Sequence, residues 1–300
     1  MPDPESGPFH SGMVALVGRP NVGKSTLMNR ILGERVSIVS RRPQTTRHRV
    51  LGIHTSDDYQ MVFVDTPGIH QAKRTINRYM VQAAVTALEG VDAIVLVVEA
   101  LSWGEGEDAI LERLAGVETP VIAVVNKVDR VSPRERLLPF LDELAGRFPF
   151  AAIVPLSASK GDNLDPLLDE LRARLPESPP LFPEDQITDK NLRFLCAELV
   201  REQLFHQLGE EVPYATEVVV ERFEEAAERT EIQATILVER DSQKGIVLGK
   251  GGRRIKEVGS RARKAIEYLL EARVRLELYV QVRAGWTSDE RALRDLGYEE

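Results

Sequence analysis

Glycines at 18 and 23, a lysine at 24 and a hydroxyl at 25 stand in the spacing G-x-x-x-x-G-K-[ST], which is what a phosphate chain needs. With no Cβ at either glycine, successive backbone N–H groups can turn inward on phosphate oxygens. Lys24 would then bridge the terminal phosphates, and the Ser25 hydroxyl would ligate Mg²⁺. The whole loop of Gly18, Arg19, Pro20, Asn21, Val22, Gly23, Lys24, Ser25 and Thr26 is expected to line a nucleotide. Further along, Asp65-Thr66-Pro67-Gly68 supplies a carboxylate for the same ion and a glycine N–H for a γ-phosphate. In Asn126-Lys127-Val128-Asp129 the Asp129 carboxylate can accept from N1–H and the exocyclic amino group of guanine, a donor pair that adenine lacks. The Lys127 stem can cover the ring, and the backbone of Ser157-Ala158-Ser159 can reach the base O6. Each short motif alone reads as a strand-ending turn. Their order along one chain argues for a guanine nucleotide site.

Such groups must be held at strand ends, and the chain provides strands in the right places. MVALV (13–17), RVLGIHT (49–55), YQMVFVD (59–65), AIVLVVEA (93–100), VIAVVN (121–126) and AAIVPLS (151–157) are apolar runs separated by helical patterns. The second and third runs are parted only by Ser56, Asp57 and Asp58, so they predict an antiparallel hairpin in an otherwise parallel six-stranded sheet. Ligands gather outside the carboxyl ends of parallel strands, where all of these motifs fall.

The length of 300 residues suggests two domains, and 43% hydrophobic with 29% charged residues indicates an ordinary globular chain. Residues 1–12 read as a flexible terminus with no signal-peptide pattern, and no apolar run reaches the roughly eighteen residues of a membrane span, so a cytoplasmic protein is expected. The single cysteine, Cys196, sits among leucines on a predicted helix and reads as a small buried hydrophobe. The five histidines show no metal spacing. Four prolines between Leu175 and Pro183 predict a semi-rigid extended connector. Domains are therefore placed at 13–178 and 187–300, with a linker at 179–186.

In the second half, Thr188 is expected to cap an amphipathic helix, followed by strands at 215–223 and 231–240. A short helix then runs into Gly249-Lys250-Gly251-Gly252, a longer one leaves it, and 274–283 closes with a strand. Net charge conceals a division here. Although the whole chain carries −8, residues 198–239 hold 3 basic and 11 acidic groups, whereas 240–275 hold 11 basic and 4 acidic. A polyanion should meet the later stretch. Gly249, Gly251 and Gly252 allow close backbone approach, Lys250, Arg253 and Arg254 add charge, and bases would lie near Ile246 and Val247. Trp286 and Tyr298 either stack on bases or dock a short terminal helix.

The α-β-β-α-α-β order with its G-x-x-G turn resembles a type II KH domain, an α+β module that clamps about four nucleotides of single-stranded RNA. The motifs at 18–25, 65–68, 126–129 and 157–159 resemble the G1, G3, G4 and G5 motifs of translation-factor-class GTPases. Gln44-Thr45-Thr46-Arg47 resembles the switch I of the Era-like family within the TrmE-Era-EngA-like superfamily. With the linker, the GKGG turn and the terminal W…LGY segment, that resemblance extends over essentially the whole chain. It implies a P-loop GTPase domain of α/β class joined to the KH domain, using GTP/GDP and Mg²⁺. The metal ligands implied are Ser25, Thr46 (with Thr45 as alternative) and Asp65, and the catalytic groups are Lys24, Thr46 and Gly68. It also implies a monomer binding the 3′ end of 16S rRNA and the 30S subunit during its maturation, with peripheral contact at the inner face of the cell membrane. Ile69 stands where Ras-like proteins carry a water-orienting glutamine, so slow intrinsic turnover is expected. Asn21 matches the asparagine that holds K⁺ in potassium-dependent relatives; His70, Gln71 and Arg74 are polar alternatives. A non-catalytic nucleotide-gated RNA scaffold and a membrane-associated cell-cycle signalling GTPase are the competing readings.

Overall fold

Apolar runs too continuous for alternation must be covered on both faces, and strands β1 (His10–Val17), β2 (Val50–Thr55), β3 (Tyr59–Asp65), β4 (Ala93–Glu99) and β5 (Val121–Asn126) are mostly buried, while the edge strand β6 (Ala152–Pro155) is largely half-buried. The computed structural model describes residues 8–40, 42, 45–67, 76, 79–80, 86–209 and 211–298. These form two compact units.

Unit 1 comprises Met1–Ser37, Thr46–Gln71 and Met80–Asp189. Its six strands lie in the order β2-β3-β1-β4-β5-β6. Only β2 runs against its neighbour, as the short hairpin requires. Because β1 has β3 on one side and β4 on the other, the connections diverge there and open a crevice at its carboxyl end. Helix α1 (Lys24–Leu32) leaves that crevice and buries Leu27, Met28 and Ile31, one helical face, before Gly33 ends it at φ 75°. Among the described residues, helices α2 (Glu105–Leu114), α3 (Leu137–Ala145) and α4 (Asp165–Arg172) add to the cover.

Two expectations about the edges of this unit change. Residues 10–12 are not a loose terminus: they extend β1, with His10 opposite Tyr59 and bridged to Glu177. The proline-rich stretch is strapped onto unit 1. Gln60, fully buried, accepts from the Leu181 and Phe182 amides at 2.8 and 2.9 Å, Ser178 N donates to Phe9 O, and Ile53 N donates to Ile187 O. Prolines deprive a segment of donors, but the amides left between them still need acceptors, and a neighbouring sheet edge supplies them.

Unit 2 comprises Lys190–Glu300 together with Ile38–Thr45 and Ala72–Tyr79. Helix α5 (Leu192–Gln207) starts three residues later than a Thr188 cap would place it. Asn191 is the cap, its side chain accepting from Phe194 N at 2.9 Å, while Thr188 is bridged to Gly52 in unit 1. Strands β7 (Thr216–Glu225) and β8 (Thr230–Val238) are antiparallel, and β9 (Val274–Val282) joins β8 in parallel. Helices α6 (Asp241–Leu248) and α7 (Arg253–Leu270) lie between them in sequence. Val258, Ala262 and Ile266 repeat at helical spacing along α7 and meet Cys196, Ile232 and Ile236 in one core. Helix α8 (Glu290–Asp295) is capped by Asp289. Trp286 and Tyr298 are buried with Leu293, Ile76 and Tyr79, so they dock the terminal segment and are not displayed for base stacking.

Candidate functional site

The loop after β1 is shaped by what its glycines avoid. At φ 148° a Cβ on Gly18 would stand 2.4 Å from Val97 O, and at φ 109° one on Gly23 would stand 2.2 Å from Asn126 Nδ2. Lys24 is buried, and its ammonium donates to Gly18 O at 2.9 Å and Arg19 O at 3.1 Å. Burial holds the Lys24 pKa down to about 8, against the opposing pull of Asp65.

Below the lysine, oxygen donors converge. Ser25 Oγ donates to Asp65 Oδ2 at 2.7 Å and lies 3.0 Å from Thr46 Oγ1. Ser37 donates to the same Asp65 oxygen at 2.8 Å. Asp65 Oδ1 is buried with no hydrogen-bond partner, and burial pushes this carboxyl above the usual carboxylate range, opposed first by the Lys24 charge. Two hydroxyls and a carboxylate with an unpartnered oxygen suit a hard, oxygen-seeking dication, so the residues present fit Mg²⁺. A dication at Asp65 and phosphate oxygens at Lys24 would favour the charged form of each. Thr45 is turned away into contacts with Ser40 and Arg42. Thr66 donates to Leu16 O at 2.9 Å, and Pro67 is buried beside it. Gln44, Gly68, Ile69, His70, Gln71 and Arg74 lie outside the described residues.

At the end of β5, Asn126 is a stitch. Its Nδ2 donates to Val22 O at 2.8 Å, and its Oδ1 accepts from Lys127 N at 2.7 Å and Ala158 N at 3.0 Å. One side chain thus ties the phosphate loop to the 157–159 loop, and the Ala158 N–H is engaged with Asn126. Ser157 Oγ donates to Asp129 Oδ1 at 2.6 Å and sits 3.3 Å from Ser159 Oγ, which aims the Asp129 carboxylate. Lys127 takes a left-handed backbone, φ 66°, and its ammonium pairs with Glu99 at 2.5 Å.

Several residues here escape motif reading. Arg30 of α1 donates to Ala158 O and Ser159 O at 3.2 and 2.6 Å, and Asn29 holds the Val36 and Ser37 amides. Glu99, Ser37 and Glu107 join them. The one available signal was position: Arg30 and Asn29 follow the loop on α1, and Glu99 and Glu107 flank the end of β4.

In unit 2 the α6–α7 turn brings Gly249, Gly251 and Gly252 to φ 69°, 63° and 74°. A Cβ on Gly251 or Gly252 would meet nothing, so this backbone is open to close approach, with Lys250 and Arg253 exposed beside it. Arg254 differs: its Nη1 donates to Ile246 O at 2.9 Å and clasps α6 to α7. Ile246 is 40% exposed, but Val247 is fully buried in the core. Adjacent residues on a helix lie about 100° apart, so both cannot face the same groove, and Val247 supports the surface from beneath.

Both parts of the chain resemble known proteins. The 50S ribosome-binding GTPase family matches residues 13–127, and the KH domain family matches 211–287. The GTPase Era of Stenotrophomonas maltophilia strain R551-3 is 53% identical over 98% of this chain and 99% of its own length. That of Pseudomonas putida KT2440 is 50% identical over 98% of both. A crystal structure of Era with MgGDPNP and nucleotides 1506–1542 of 16S ribosomal RNA superposes with a TM-score of 0.94 at 40% identity, covering 97% of this chain and all of that one. An Aquifex aeolicus Era variant bound to GDP and aluminium fluoride gives the same values. With such identity over nearly the whole length of both chains, the chain belongs to the Era family of GTPases.

Proposed function

We propose that this GTPase is a Mg²⁺-dependent switch whose KH domain clamps the single-stranded 3′ end of 16S rRNA during maturation of the 30S subunit. The observation that carries the reading is the relative described with both MgGDPNP and 16S nucleotides, whose fold this chain shares from end to end. Ser25, Thr46 and Asp65 would hold the ion, which when bound neutralises charge on the β- and γ-phosphates. Lys24 orients the same phosphates, Asn126 aligns the loops, and Asp129 reads guanine. Gly68, outside the described residues, would supply an N–H to the γ-phosphate by its place in the motif. Asn21, at φ 66° in the loop, would hold K⁺ near the β,γ-bridge, where a monovalent cation does the work of an arginine finger. The GKGG backbone, Lys250 and Arg253 form the RNA clamp, and Ile246 lines its groove.

In unit 2, Val39 N donates to Glu202 and Val39 O lies 3.2 Å from His206 Nε2, so the segment leading to Thr46 is fastened to α5. This supports reciprocal coupling, in which GTP and RNA each change the other's affinity by the same factor. The protein works as a cytoplasmic monomer, and any contact with the inner membrane face is peripheral. Among the described residues no helix is long and apolar enough to cross a membrane.

Multiple-turnover phosphate release, measured in Na⁺ and K⁺ buffers with and without a 16S 3′-end oligonucleotide, tests the reading. Turnover raised by K⁺ and by RNA is expected; identical rates in Na⁺ and K⁺ would remove Asn21 from catalysis, and RNA affinity unchanged by Gly251→Asp would remove the clamp.

A further inference from the structure

Arg19, the second residue of the phosphate loop, reaches 88 positions along the chain to Glu107 in the first turn of α2. Its Nη1 lies 3.1 Å from both carboxylate oxygens. The pair is asymmetric in burial: the Glu107 side chain is 2% exposed and that of Arg19 43%. The same carboxylate accepts the Gly104 amide at 3.1 Å and so caps α2. The helix is cut to fit the arginine stem, since a Cβ on Gly106 would stand 2.8 Å from Arg19 Cδ. Finally, the Arg19 carbonyl is one of the two that hold the Lys24 ammonium.

We propose that Glu107 is a positioning residue for GTP hydrolysis: by anchoring the Arg19 side chain it fixes the peptide whose carbonyl aims Lys24, and Arg19 in turn cancels a buried negative charge beside the phosphate loop. The two halves of the pair have different consequences. Loss of the Glu107 charge frees the loop and misaims Lys24, which reduces the chemical step. Loss of Arg19 leaves an uncompensated carboxylate near the incoming phosphates, which weakens nucleotide binding. A helix cap alone predicts neither pattern, because glutamine at 107 still accepts from Gly104.

The inference rests on this loop being the GTP site. Turnover by the unaltered protein tests that reading, and only the variants test Glu107. In the full-length chain, Glu107→Gln should lower kcat about tenfold with KM changed less than threefold and Tm nearly unmoved. Gly106→Ala, which displaces the arginine stem without touching any charge, should lower kcat in the same way and decides the matter if Glu107→Gln does not fold. Arg19→Ala should weaken fluorescent GDP binding about tenfold, and the defect should vanish in the Arg19→Ala/Glu107→Gln double variant. Unaltered kcat in Glu107→Gln, or in Gly106→Ala when only that variant folds, overturns the proposal, as does an Arg19→Ala binding defect that persists in full when Glu107 is neutral.

Discussion

Replacing Asn126 by alanine removes three hydrogen bonds at once, to Val22 O, Lys127 N and Ala158 N. The asparagine is only 2% exposed, so water does not readily take its place while the loops stay closed. Each buried polar group left without a partner costs about 1–3 kcal/mol, and the lower figure suits Lys127 N at its less buried position. At about 1 kcal/mol each the loss is about 3 kcal/mol, or roughly 100-fold in affinity if it falls on the conformation that receives the nucleotide. It should fall there, because the unliganded loops can separate and hydrate these groups. The assay is titration of a fluorescent GDP analogue, with IDP as competitor and a thermal melt beside it. In the proposed function Asn126 acts on loop geometry and Asp129 on the base. Asn126→Ala should therefore weaken GDP and IDP by the same factor, with their ratio preserved and Tm little changed. Affinity within threefold of the parent, or a collapse of the GDP:IDP ratio at unchanged total affinity, would refute the reasoning.

Four other outcomes are expected. Asp129→Asn exchanges an acceptor for a donor against the 2-position of the base, so competition assays should show preference passing from GDP to xanthosine diphosphate, by tenfold or more. Asp65→Asn keeps acceptors for Ser25 and Ser37 but loses the charge, and the Mg²⁺ concentration for half-maximal turnover should rise at least tenfold. Burial pushes the Cys196 thiol up to about 12, so its reactive thiolate is scarce at pH 8 and grows about tenfold per pH unit towards 12; a disulfide reagent should label it at pH 8 only in denaturant. Trp286→Ala empties a fully buried site and should destabilise unit 2 by about 3 kcal/mol in denaturant melts.

The sheet and the phosphate and base loops were legible because their signals are local: a continuous apolar run, a glycine before a lysine, a tetrapeptide at a strand end. What stayed hidden depends on partners far away in the chain. Glu107 looks like any acidic residue in a first helical turn, and nothing near it points to Arg19. Gln60 reads as a polar interruption in a strand, yet it organises Leu181 and Phe182 from 121 and 122 positions away. Val247 beside Ile246 shows another limit. Composition marks both as apolar, but only the phase of a short helix decides which one enters the core. Thr188 and Asn191 are both good caps, and the bridge from Thr188 to Gly52, a tertiary contact, settled which of them caps the helix.

The membership of Ile38–Thr45 and Ala72–Tyr79 in unit 2 has a consequence for synthesis of the protein. Ile76 and Tyr79 leave the ribosome roughly two hundred residues before Trp286, Leu293 and Tyr298, the side chains that cover them. At ordinary elongation rates of about 5–20 residues per second, the nascent chain waits on the order of 10–40 seconds for that cover. A nascent chain released before Trp286 is made carries its phosphate and base loops but leaves Ile76 and Tyr79 without that cover and open to proteases.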